Sequence, residues 1–219
     1  MKASAFIFDL NGTMINDMEY HIKAWYHILN DDLKAGLSWA EVKSHMYGKN
    51  EELLDRVFGQ GHFNQEQADR ISREKETSYQ EAFRPHLVLI DGLNEFLRRA
   101  EKAGIPMAIG SAAIPFNIDF VLDNLSIRHY FKVIVSAKDV KLSKPDPETY
   151  LMAAKQLGIR PEECLVFEDA PKGVESAQRA GMKSIVLTTM HEKEEFAKYP
   201  NVAGLIADYT DPLLESLFV

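Results

Sequence analysis

Short apolar runs recur along this chain at the spacing of an alternating strand–helix fold. They read Ala5-Phe6-Ile7-Phe8, Met107-Ala108-Ile109, Val133-Ile134-Val135, Leu165-Val166-Phe167 and Ser184-Ile185-Val186-Leu187. Stretches with helical spacing lie between them: Leu93, Phe96, Leu97 and Ala100 form one apolar stripe, and Phe116, Phe120, Val121 and Leu125 another. Gly104, Gly158 and Gly181 follow such stretches as helix stops. Alternation of this kind predicts an α/β fold, a doubly wound parallel sheet covered by helices on both faces.

Residues 16–85 break the rhythm. Helical patterns run from Met18 through Trp25 to Leu29, then from Trp39 to Val57 and from Asn64 to Phe83, with no strand-like run among them. An all-helical insert after the first strand reads as a cap that sits over the strand ends and closes on substrate. The core is then expected over 1–15 and 86–219.

The first strand ends in Asp9 and breaks into the loop Leu10-Asn11-Gly12-Thr13. Open α/β sheets hold their ligands at such strand ends. Ser143-Lys144-Pro145-Asp146-Pro147 and Phe167-Glu168-Asp169 fit the same reading. A carboxylate nucleophile, a lysine and an acidic pair together can hold Mg²⁺ and a phosphoryl group. Ser111, with the backbone of Ala112 behind it, closes the second strand as a candidate phosphate cradle.

Composition limits the partners. The 219 residues carry 33 acidic against 25 basic side chains, a net charge of −8. That balance disfavours nucleic acid and anionic membrane, and leaves a small phosphorylated metabolite. A single cysteine, Cys164, excludes an intrachain disulfide and suits a reducing compartment as an apolar filler. No signal peptide or membrane span is visible, so the cytosol is expected, with a monomer as the default.

Taken together, these segments resemble the haloacid dehalogenase superfamily, in its β-phosphoglucomutase-like branch with a helical cap on a Rossmann-like core. The resemblance implies Asp9 as nucleophile, Thr13 at the threonine site, Lys144 as the phosphate-binding lysine and Ser111 as the phosphate-binding serine. It implies Mg²⁺ held by Asp9, Asp169 and the main-chain oxygen of Asn11, with Glu168 acting through water. Asn117 is a further candidate in the following helix. In the cap, Glu19-Tyr20-His21 with Trp25 marks His21, while Gly48 matches a substrate-contacting loop in which Lys49 or Asn50 is the candidate substitute for an absent arginine. Lys75 also matches a cap lysine, although a solvated helix face accounts for it nearly as well. The chain departs from the mutase pattern at Ile114 and Pro115, where Lys-Asn is expected, and at Glu51, where an arginine is expected.

Asn11 occupies the place of the general acid and base. An amide donates a hydrogen bond but delivers no proton at neutral pH. The expected activity is Mg²⁺-dependent phosphoryl transfer through an aspartyl phosphate, slowed on alkyl phosphates, with His21 the candidate substitute. The alternative is a phosphometabolite-binding protein of the same fold with little or no turnover.

Overall fold

The computed structural model describes residues 3–218. The chain divides into two compact units, residues 1–16 with 88–219, and residues 17–87.

The first unit is a six-stranded parallel sheet of β1 (Ala5–Phe8), β2 (Met107–Gly110), β3 (Phe131–Val135), β4 (Cys164–Glu168), β5 (Lys183–Leu187) and β6 (Val202–Ile206). Their spatial order is β3-β2-β1-β4-β5-β6. The order reverses between β1 and β4, which pair in register from Ala5 with Cys164 to Phe8 with Phe167. Helices α5 (Leu93–Lys102), α6 (Pro115–Asn124), α7 (Glu148–Leu157) and α8 (Pro171–Arg179) connect the strands.

Side chains of successive strand residues point to opposite faces, so β1 feeds two cores. Ala5 and Ile7 pack with Val166, Ala108, Tyr150 and Ala153. Phe6 and Phe8 enter an aromatic layer, in which Phe8 stacks on Phe167 at 4.8 Å and Phe6 meets Phe96 of α5 at 5.4 Å. Burial on both faces explains why β1 and β2 are continuously apolar rather than alternating. Cys164 belongs to the first of these cores.

β6 has no counterpart in the sequence reading. Its five residues are mostly half-buried, and Gly204 interrupts the apolar run. A Cβ there would lie 2.6 Å from Leu213 Cδ1, so a larger residue would require that side chain to shift.

The second unit holds α1 (Met18–His27), which runs into a π turn over Ile28–Asp32, then α2 (Trp39–Ser44), α3 (Asn50–Phe58) and α4 (Gln65–Phe83). Ser38 and Asn64 start α2 and α4, each side chain accepting from the backbone N–H three residues on. The helix expected from Trp39 to Val57 is instead two helices, because the chain turns at Gly48 with φ +75°. α4 lays Tyr79 and Phe83 against α1, where Tyr79 stacks on His21 at 3.7 Å and Phe83 meets Tyr20 at 5.0 Å. Among the described residues, no helix is long and apolar enough to cross a membrane.

Candidate active site

Parallel pairing continues one residue past β1, since the Asp9 N–H donates to the Phe167 carbonyl at 2.9 Å. The Asp9 side chain therefore leaves the sheet at the strand end, beside the end of β4. Glu168 closes β4 and Asp169 follows it, so two neighbouring strands deliver three carboxylates where the strand order reverses. All three are buried.

Lys144, from the loop before α7, joins them. Its Nζ lies 2.6 Å from Asp9 Oδ1 and 2.8 Å from Glu168 Oε1, over the ring of Tyr150. Burial drives the ammonium toward its neutral form, but Asp9 and then Glu168 outweigh that and hold its pKa above the ordinary lysine value. Glu168 is saturated: Oε1 also accepts from the Tyr150 hydroxyl at 2.8 Å. Its Oε2 accepts from the N–H groups of Asp169 and Ala170, each at 2.8 Å. Gly173 leaves room for this carboxylate, because a Cβ there would overlap it at 1.6 Å.

Asp169 has less support. Its Oδ1 accepts from Thr13 Oγ1 at 3.3 Å. Burial first, then Glu168 and Asp9, raise its pKa well above the ordinary carboxylate range, against Lys144 and Thr13. Ionised, these acids bring three negative charges to one positive charge on Lys144. A divalent cation relieves that imbalance, and the donor set suits a hard one. Among the described residues, no group of three or more His, Cys, Asp or Glu is arranged to hold a metal. With Glu168 engaged elsewhere, Asp9 and Asp169 could hold such an ion with a backbone oxygen and waters, the sparse protein ligation Mg²⁺ accepts.

The loop after Asp9 is tightly closed. Gly12 has φ +77°, and a Cβ on it would lie 2.1 Å from Asp169 Oδ2, so only glycine fits. Asn11 is half-buried, its backbone bridged to Ile15. Ser111 follows β2, its N–H donating to Val135 and its Oγ accepting from the Ala113 N–H at 3.1 Å. Ala112 between them is half-buried, and Asn117 is buried in the first turns of α6.

His21, Gly48, Lys49 and Lys75 belong to the helical unit. The solvated-face reading of Lys75 is overturned: it is 2% exposed, its Nζ 3.1 Å from both Glu76 oxygens and 2.6 Å from His21 Nδ1. An ammonium offers donors only, so Nδ1 accepts and a neutral imidazole carries its proton on Nε2. That nitrogen faces Asp17 Oδ2 at 3.2 Å. Asp17 also accepts from the Tyr79 hydroxyl, and Asn50 donates to Glu76 at 2.8 Å. Arg56 fastens the turn before Gly48, donating to the carbonyls of His45 and Tyr47 with its guanidinium stacked 3.8 Å from the Tyr47 ring centroid. Lys49 precedes α3 half-exposed, its N–H donating to Glu52.

Sequence reasoning missed Tyr150, Glu76 and Arg56. Each works through a partner brought by folding, and none sits in a local pattern that marks it.

Comparison with known proteins identifies the family. The family profile described as haloacid dehalogenase-like hydrolase matches residues 6–187. A fructose-1-phosphate phosphatase of Escherichia coli is 32% identical over 192 residues, covering 84% of this chain and 96% of that protein. Hexitol phosphatase A of the same organism is 32% identical over 194 residues, covering 85% and 84%. The crystal structure of β-phosphoglucomutase from Clostridium difficile superposes with a TM-score of 0.83 at 26% identity, covering 98% of this chain and 95% of that one. With its strand-end carboxylates and their lysine on a parallel sheet of this order, the chain belongs to the haloacid dehalogenase-like hydrolase family of enzymes.

Proposed function

We propose that this protein is an Mg²⁺-dependent phosphoryl-transfer enzyme acting on a small sugar or polyol phosphate, with Asp9 as the nucleophile. The observation that carries the reading is Lys144 bridging Asp9 and Glu168 beside the buried Asp169. Relatives named for fructose 1-phosphate and hexitol phosphates favour that substrate class. Asp9, Asp169 and the Asn11 main-chain oxygen would hold Mg²⁺, which when bound would supply the charge neutralisation that lets an anionic ester approach a carboxylate.

The chain's own groups do the rest. Lys144 binds a non-bridging phosphoryl oxygen and restrains Asp9 for in-line attack. Glu168 holds Lys144 at its working position through Oε1 while its Oε2 stays tied to the backbone. Thr13, Ser111, the backbone at Ala112, and Asn117 serve the phosphate side. The Asp9 oxygen displaces the ester oxygen, which takes its proton from solvent and leaves as the alcohol. Water then hydrolyses the aspartyl phosphate to free phosphate. The helical unit acts as the cap, with Gly48, Lys49 and the His21–Lys75 pair setting substrate choice. A small phosphorylated metabolite is its partner, and the cytosol its place of work.

Asn11 makes the enzyme slow on poor leaving groups. General acid–base help is worth about 10²–10⁴ in rate, and the amide withholds it. His21 does not simply replace it, because both ring nitrogens face partners within the helical unit. The second reading, a binding protein that retains the pocket, rests on this residue. Phosphate release with Mg²⁺ across hexose phosphates, hexitol phosphates and acetyl phosphate tests the choice. Turnover favouring the acyl phosphate supports the enzyme, whereas affinity without release from any of them supports the binder.

A further inference from the structure

Two hydroxyl groups that the chemistry above does not use hold the Asp9 loop from outside. Thr189, two residues past β5, donates Oγ1 to the Gly12 carbonyl at 2.6 Å. Tyr209, three residues past β6, donates its phenol to the Thr13 carbonyl at 3.1 Å. Inside the loop, the Leu10 carbonyl accepts from the Met14 N–H and the Gly12 N–H donates to Ile15, both at 2.8 Å. A trans peptide points its N–H and C=O in opposite directions. With the Gly12 N–H committed to Ile15, the Asn11 carbonyl is aimed away from Ile15, and its direction depends on how firmly Gly12 is held.

The outer anchors are themselves fixed. Tyr209 is 5% exposed, its ring centroid 5.5 Å from Phe96 and 5.7 Å from Phe167. Its N–H donates to Asp91, while Ile90 donates to Met14, both at 2.9 Å. Gly92 permits this approach, since a Cβ there would lie 2.6 Å from the Tyr209 carbonyl carbon. Thr189 follows Thr188, whose N–H and hydroxyl both donate to Ile206 at the end of β6. The loop is therefore braced by the ends of β5 and β6, two strands that contribute no group to the charged cluster described above.

We propose that Thr189 and Tyr209 are positioning residues that present the Asn11 main-chain oxygen to the divalent cation. This rests on the proposed function. Without the Thr189 hydroxyl, the Gly12 carbonyl loses a short hydrogen bond, and the 12–13 peptide gains freedom to rotate about the Gly12 Cα that it shares with the 11–12 peptide. Partners that orient metal ligands in this way are worth about 10–100-fold in metal affinity.

The test is Mn²⁺ binding to the substrate-free protein, followed by electron paramagnetic resonance, for wild type, Thr189→Val, Thr189→Ser, Tyr209→Phe and Asp169→Asn. The expected result is about tenfold weaker binding or more in Thr189→Val, weaker binding in Tyr209→Phe, and near wild-type binding in Thr189→Ser. Wild-type affinity in Thr189→Val, even with a lowered melting temperature, overturns the proposal. Should Thr189→Val not fold, Tyr209→Phe, which removes one oxygen atom, decides in the same way. If wild type binds no Mn²⁺, or Asp169→Asn binds it undiminished, the metal reading itself fails and the proposal falls with it.

Discussion

Lys144 reaches Asp9 across 135 positions of sequence, its ammonium nitrogen 2.6 Å from Oδ1. The same nitrogen lies 2.8 Å from Glu168. One cation thus fixes the Asp9 carboxylate, the proposed nucleophile, and offsets the repulsion among the acids that surround it. Lys144→Met should lower kcat by about 10²–10³, the scale for removing one donor to a developing charge. It should also cost about 3–5 kcal/mol of stability in the metal-free protein, because buried acids are left uncompensated. Urea unfolding in EDTA and steady-state kinetics on the folded variant check the two effects separately.

In the proposed reaction Asn11 sets the rate on unactivated esters. Asn11→Asp supplies a proton donor and should raise turnover of hexose phosphates at least about tenfold, within the usual range for acid–base help. The phosphorylation step with acetyl phosphate, whose leaving group needs little protonation, should change much less. Equal rates for both proteins on hexose phosphates would remove residue 11 from the reaction.

Lys75 and Glu76 form a buried pair in the helical unit. Burial, opposed by Glu76 and Asp17, lowers the Lys75 pKa. Breaking the pair is expected to cost more than removing it. Lys75→Met should destabilise by about 3–5 kcal/mol, while Lys75→Met with Glu76→Gln should recover part of that. Denaturant midpoints for the two variants give the comparison, and a double variant no more stable than the single one would show that the Glu76 charge was not the cost.

The buried charged cluster was legible because its residues sit where strands end. Asp9 and the Glu168-Asp169 pair each follow an apolar run, and Lys144 lies in a compact Pro-rich segment. Other parts of the fold carried no such mark. β6 is an edge strand interrupted by Gly204, and its half-buried residues give no continuous apolar run. The break at Gly48 was hidden because the residues flanking it keep helical spacing. Lys75 looked solvated because its partners come from other turns and helices: Glu76 is adjacent, but His21 and Asp17 are more than fifty positions away. Thr189 and Tyr209 act through hydroxyls on loops, and loop hydroxyls have no period to read.

Cys164 gives a pH signature. Burial, followed by the charges of Glu163 and Glu162, raises its thiol from 9.0 to about 11. As pH rises between those values, the unfolded chain gives up a proton that the folded protein keeps. The contribution to stability is therefore complete below about pH 9 and is lost as pH climbs toward about 11. Urea midpoints across that window should fall more steeply for wild type than for Cys164→Ala, and parallel curves would count against the shift.

The most direct test of the central claim is mass spectrometry of the acid-quenched protein during turnover with Mg²⁺ and acetyl phosphate, whose leaving group needs no acid. Asn11 withholds the base that would activate water against the phosphorylated enzyme, so the adduct should accumulate. The account predicts one added phosphoryl group on the peptide that carries Asp9, absent in Asp9→Ala. Continued phosphate release with Asp9 unmodified, and unimpaired release by Asp9→Ala, would contradict it.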